Sequence, residues 1–164
     1  MRYWIFQVIS VVLLIVGISG CAAMSGNEAK KEAPAQQVSL SQIPSPARTV
    51  IERLTAGGQI KKIEKEEVNG KVIYDVEAKV NNTDVEYDIA DDGKVLTSEE
   101  SIAYDSLPAE VKAAVQKYFG SDKGLKASRE IEKGETFYEV EGSKAGSAIA
   151  LKLTEAGKII EEEK

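Results

Sequence analysis

Residues Gly70–Lys94 read GKVIYDVEAKVNNTDVEYDIADDGK, and Gly134–Lys158, 64 positions later and without a gap, read GETFYEVEGSKAGSAIALKLTEAGK. Six of the 25 positions are identical: Gly70/Gly134, Tyr74/Tyr138, Val76/Val140, Glu77/Glu141, Gly93/Gly157 and Lys94/Lys158. Others keep their character, as in Ile73/Phe137, Asp75/Glu139, Val85/Ile149, Tyr87/Leu151 and Ile89/Leu153. Self-similarity at a fixed offset marks a repeated supersecondary unit, so the chain reads as two copies of one small unit.

Within the quoted stretch the residues alternate. Val72, Tyr74, Val76 and Ala78 point one way, and Ile73, Asp75, Glu77 and Lys79 the other; Val85, Tyr87 and Ile89 alternate with Asp84, Glu86 and Asp88. Such alternation predicts half-buried antiparallel strands. Asn69-Gly70, Asn81-Asn82 and Asp91-Asp92-Gly93 supply turns between them. A charged run, Gln59–Val68, precedes the first turn, and Gly124–Lys133 matches it. Last strands are expected at Lys94–Thr97 and Lys158–Ile160, with residues 98–106 as the connector.

Upstream of each sheet lies a helical pattern. Ser45 is expected as the cap and Pro46 as the first helical residue, where a missing N–H costs nothing. Ala47, Val50, Ile51 and Leu54 then recur at helical spacing, with Gly57-Gly58 as the stop. Pro108, the stripe Val111, Ala114, Val115 and Tyr118, and Gly120 repeat the scheme. The predicted fold class is α+β: two tandem repeats, residues 43–100 and 101–164, each a helix packed on an antiparallel sheet of about four strands.

Before the first repeat stand an address and a tether. Arg2, the apolar run Ile5–Ile18 and then Ile18-Ser19-Gly20-Cys21 follow the pattern of a bacterial lipoprotein signal peptide over residues 1–20. Cleavage is expected between Gly20 and Cys21, and lipidation on the Cys21 thiol. Several acyl chains hold a protein stably on a bilayer where one alone is marginal. Ala22, rather than Asp, points to a cell-envelope protein on the outer membrane facing the periplasm. Residues 21–42, small, polar and without periodicity, read as the lipidated Cys and a flexible tether.

Of the 164 residues 27 are acidic and 21 basic, a formal charge of −6, with no histidine and a single cysteine. Acidic balance disfavours nucleic acid as a partner. Without histidine, and with Cys21 committed to lipid, the usual nucleophilic triads and histidine-ligated metals are excluded. No metal site and no cofactor are expected, and the protein reads as a non-enzyme.

The cadence of a Pro-initiated helix, a charged strand, Asn-Gly or Lys-Gly, Tyr-x-Val-Glu, and an aliphatic strand before Asp-Gly-Lys or Ala-Gly-Lys resembles the PepSY-like family. That family includes domains similar in fold to the β-lactamase inhibitor proteins. The resemblance spans about 43–100 and 107–164. It implies an envelope or secreted location and, for some members, binding or inhibition of peptidases. The secreted tandem inhibitors carry disulfides that this chain cannot form, and no inhibitory residue is transferred.

Three features carry candidate chemistry. Asp75/Glu77 and Glu139/Glu141 occupy matching positions on the face expected to be solvated, where paired carboxylates ordinarily stay ionised. Asp88, Asp92 and Glu99 partly fit a calcium loop, but Ala90 stands at a ligand position and the second copy has Lys152, Thr154 and Ala156 there. Phe137 lies on the outward face with Glu139, Glu141, Ala150 and Lys152, and is explained equally by a partner or by the contact between repeats. These five residues are the expected contact surface for an envelope protein or peptide partner. The alternatives are an anchored structural or stress-related spacer and a weak calcium sensor.

Overall fold

The computed structural model describes residues 35–164. The expected signal peptide, the expected cleavage and lipidation at Gly20/Cys21 and the expected tether as far as residue 34 lie outside the described residues. No helix among the described residues is long and apolar enough to cross a membrane.

Strand alternation and turn residues build one antiparallel sheet of nine strands in sequence order. The strands are β1 (Gln36–Gln37), β2 (Gln59–Val68), β3 (Lys71–Val80), β4 (Thr83–Ala90), β5 (Val95–Ile102), β6 (Lys126–Glu132), β7 (Glu135–Lys144), β8 (Ser147–Thr154) and β9 (Ile159–Glu163). Helix α1 (Ser45–Leu54) precedes β2, and α2 (Ala109–Phe119) precedes β6. The class is α+β. The sheet runs without a break through β5–β6, where Thr97 faces Glu132 and Ile102 faces Ala127. Shifting β3 and β4 by 64 residues lands on β7 and β8, and the irregularity at Asp88/Ile89 recurs at Lys152/Leu153.

The turns explain the register. Asn69 and Gly70, like Lys133 and Gly134, have positive φ at both positions, as the two-residue hairpin twist requires. Gly93 and Gly157 have a second reason to be glycine: a Cβ there would strike the backbone carbonyl of Pro46 or of Glu110, in the first turns of α1 and α2. Each closing turn thus seats directly on a helix start.

Both helices pack on one face of the sheet. Ala47 and Ile51 of α1 join Ile63, Tyr74, Val76 and Ile89. Val111 and Val115 of α2 join Tyr138, Val140, Leu151 and Leu153. The register Val76–Tyr87–Ser98–Ile131–Thr136 shows that these clusters share a side. Tyr74 and Tyr138 are buried there as the alternation predicts.

Several boundaries differ from expectation. Residues 36–42, assigned to the tether, are structured: β1 pairs with β2, and Val38 and Leu40 pack against the first core. Apolar side chains at two alternate positions, too few for a periodic signal, dock there. Helix α1 begins at Ser45 with Pro44 as its cap, because Pro44 is already extended and Pro46 fits the first turn. It ends at Leu54, where Thr55 turns its hydroxyl onto the Ile51 carbonyl at 2.8 Å, ahead of the glycines. Residues 98–102 continue β5, since β6 offers them a pairing edge.

Candidate functional site: the open face of the sheet

With both helices on one side, the opposite side of the sheet is left to the residues of the other parity. Cross-strand pairing aligns them into rows. One row runs Lys62–Glu77–Glu86–Glu99–Glu130–Phe137–Thr154. Four glutamates from consecutive strands therefore stand directly opposite one another, where like charges destabilise a sheet. The adjacent row is Glu64–Asp75–Asp88–Thr97–Glu132–Glu135. On the other flank Ser101, Ser128, Glu139, Lys152 and Glu161 align.

This face was expected to be solvated, and its centre is not. Asp75 is 4% exposed and Glu130 7%. Strands less than 5 Å apart bring long side chains into mutual contact, so the carboxylates shield one another from water. Burial, compounded by Asp88 and Glu77, pushes the Asp75 carboxyl up to about 7. Burial first, then Asp75 and Glu99, push Glu86 to about 9. Asp88 rises to about 6 through burial, partly offset by a hydrogen bond with Thr97. Glu99 is raised by burial despite its bond with Ser128. Glu139 reaches about 8, again mainly through burial and then through Glu99 and Glu141.

Cations neutralise part of the face. Lys62 Nζ lies 2.9 Å from Glu64 Oε2 and 3.0 Å from Glu77 Oε1. Burial works against its charge, but the two carboxylates outweigh this and hold the ammonium protonated. Lys126 Nζ meets Glu141 Oε2 at 3.0 Å. Lys152 Nζ lies 2.7 Å from Glu130 Oε2 and 3.5 Å from Glu132 Oε2, with side-chain exposures of 10% and 9% for Lys152 and Glu130. The same ammonium stands 4.9 Å from the centroid of Phe137, within reach of a cation–π contact.

The five expected contact residues are thus brought together on β7 and β8. Glu139 faces Lys152, Glu141 faces Ala150, and Phe137 faces Thr154. Three of them are engaged internally, however: the Lys152 ammonium lies over the Phe137 ring, and Glu141 pairs with Lys126. Phe137 pairs with Glu130 on β6, one strand away from the β5–β6 junction. Sequence reasoning passed over Glu86, Asp88, Glu99 and Glu130 as a group. Alternation alone places each on the open side, but only the β5–β6 pairing joins Glu99 to Glu130.

The calcium-loop residues do not gather. Asp88 and Glu99 sit within strands on the open face, whereas the Asp92 carboxylate accepts the Lys94 N–H at 2.9 Å in the turn. Among the described residues no group of three or more acidic, cysteine or histidine side chains is placed to hold a metal ion.

A family described as "Putative beta-lactamase-inhibitor-like, PepSY-like" matches residues 24–97 and 72–161. No curated protein matches the chain in sequence. Among solved structures, a "putative periplasmic" protein of Bacteroides eggerthii DSM 20697 is similar in fold, with a TM-score of 0.58 at 13% identity over 74% of this chain and 88% of that one. A BLIP-like protein of Bacteroides fragilis NCTC 9343 gives 0.53 at 18% identity over 73% and 85%.

Proposed function

The chain belongs to the PepSY-like family, and from that premise we propose that it is a lipid-anchored, non-enzymatic protein- or peptide-binding module of the cell envelope. In this reading Cys21 carries the lipid, the chain up to about residue 34 is the tether, and two repeats, 43–100 and 101–164, fuse into one binding sheet. The periplasmic description of one structural neighbour supports the compartment. The inhibitor-like family description supports a binding role over a catalytic one.

The observation that carries the reading is the asymmetry of the sheet. One face is filled by two helices and two apolar cores, while the other presents rows of carboxylates with no described element packed upon it. Burying that many like charges side by side costs stability. Sheet solubility alone needs no Asp75 at 4% exposure.

Two experiments test it. Metabolic palmitate labelling should mark the protein and vanish in Cys21→Ala; a label that survives the substitution refutes the anchor. A photo-crosslinking residue at Glu86, on the open face, should trap a discrete partner in intact cells. The same residue at Glu110, exposed on α2, should not. Equal trapping from both positions, or none from Glu86, contradicts a binding face and favours an anchored spacer.

A further inference from the structure

The two halves of the open face carry the same framework with one decisive exchange. Moving 64 positions along the chain takes Asp75 to Glu139, Glu77 to Glu141, Lys62 to Lys126 and Glu66 to Glu130, but it takes Asp88 to Lys152. In the second half the Lys152 ammonium binds Glu130 and Glu132 and rests over Phe137. In the first half a carboxylate stands at that place, and Glu86, where the second half has Ala150, adds another. The Lys62 ammonium is shared between Glu64 and Glu77. None of Asp75, Glu86 and Asp88 forms a salt bridge with a described residue.

A second observation points the same way. Asp75 Oδ1 is buried without a hydrogen-bond partner, the one such side-chain oxygen among the described residues, on a residue 4% exposed. The charges that act on it are Asp88 on β4, Glu77 on its own strand, and Lys62 and Glu64 on β2. An orphaned buried acceptor is costly, and native structures seldom keep one without a role. A cationic donor reaching this cluster would satisfy the oxygen and relieve the repulsion together.

We propose that the first half of the open face receives a lysine or arginine side chain from a basic protein segment, whose cationic head serves Asp75, Glu86 and Asp88 as Lys152 serves Glu130 and Glu132. This rests on the binding-module reading and specifies its partner's chemistry. The chain's formal charge of −6 adds long-range attraction for such a segment. Strand β4 contributes Glu86 and Asp88, β3 contributes Asp75 and Glu77, β2 contributes Lys62, Glu64 and Glu66, and β5 contributes Glu99 with the Thr97 hydroxyl. Because burial holds Asp75 near 7 and Glu86 near 9, a bound cation displaces protons, and affinity rises as pH increases from about 6 to about 8.

The test is calorimetric titration of the full mature chain in detergent with a short alternating lysine–glycine peptide, and with its glutamate–glycine counterpart. The lysine peptide should bind, more weakly at high salt, and the glutamate peptide should not. Asp88→Lys, which installs the second half's ammonium, should weaken binding at least about tenfold while raising the melting temperature. Glu52→Lys, an equal change of charge on the exposed side of α1, should change affinity less than about twofold. Asp75→Asn provides a second loss-of-binding variant that keeps the side-chain shape. Equal effects of Asp88→Lys and Glu52→Lys, or no binding of the lysine peptide, overturn the proposal. A partner trapped from Glu86 in cells whose capture is indifferent to Asp88→Lys would refute the cationic partner yet leave the binding module standing. No trapping from Glu86 at all would remove both.

Discussion

The first and second halves of this sheet show what one side chain does to a shared framework. Strands β3 and β4 coincide with β7 and β8 at an offset of 64 residues, and the irregularity at Asp88/Ile89 recurs at Lys152/Leu153. At one site the second half carries Lys152 and binds its own carboxylates; at the matching site the first half carries Asp88. In the second half Lys152 neutralises Glu130 and Glu132, while Glu139 keeps a raised proton affinity. The first half retains Asp75, Glu86 and Asp88 with raised proton affinities and an orphaned oxygen. A duplicated fold can thus neutralise its acids in one copy and leave them without a cation in the other.

The largest expected effect comes from making the halves alike in the wrong direction. Lys152→Met leaves Glu130, 7% exposed, beside Glu132 without its cation. Removing one partner of a buried pair costs about 3 kcal/mol or more, which denaturant unfolding at pH 7 would read directly. A loss below about 0.5 kcal/mol would mean that the pair is not the second half's electrostatic anchor.

The next effect is on pH. Asp75, Glu86, Asp88 and Glu139 bind their protons more tightly in the folded chain than in the unfolded one. Between about pH 4 and pH 9 the folded state therefore holds more protons, and stability falls as pH rises through that window. Melting should occur several degrees higher at pH 5 than at pH 8.5, the reverse of ordinary acid denaturation. Below about pH 4 the trend should turn over, as Glu132, held low by its hydrogen bond from Lys133, takes up a proton. A melting temperature flat across this range would contradict the buried acid rows.

Asp75→Asn sharpens the comparison further. At pH 8 it removes a charge that burial disfavours, and a gain of about 1 kcal/mol is expected, shrinking as pH falls and vanishing near about pH 4. The smallest effect concerns turns. Ala145 has φ +52, while Asn81 holds the matching place in the first half with φ +49. Asparagine tolerates this region better than alanine, so Ala145→Asn should stabilise by about 0.5 kcal/mol in thermal unfolding.

Much of this architecture is legible in the residues. Alternation through Val72–Ala78 and the positive-φ turns Asn69-Gly70 and Lys133-Gly134 fix β2, β3, β6 and β7 almost to the residue. The stripes Ala47/Ile51 and Val111/Val115 identify the buried sides of both helices. What escaped has a common cause, since it depends on pairing between distant segments. Pairing with β2 turns Gln36–Gln37 from tether into strand. Pairing of β5 with β6 extends the connector into the sheet and sets Glu99 beside Glu130. Alternation also says which way Asp75 points but not how closely its neighbours crowd it, so a carboxylate expected in water lies almost wholly buried. The β7–β8 register likewise brings the Lys152 ammonium over Phe137, a contact that alternation along one strand does not show.

The carboxyl groups of the first half can be titrated one by one. Carbon-13 NMR titration of the side-chain carboxyls of Asp75, Glu86 and Asp88 reads each group separately. The expected result is midpoints well above the usual carboxylate range, near 7, 9 and 6, with all three falling when Lys replaces Asp88 or when the lysine peptide is added to the unmodified chain, in each case for the groups that remain. Midpoints near 4, the ordinary value for such groups, would show that water reaches this face and that its acids need no cation.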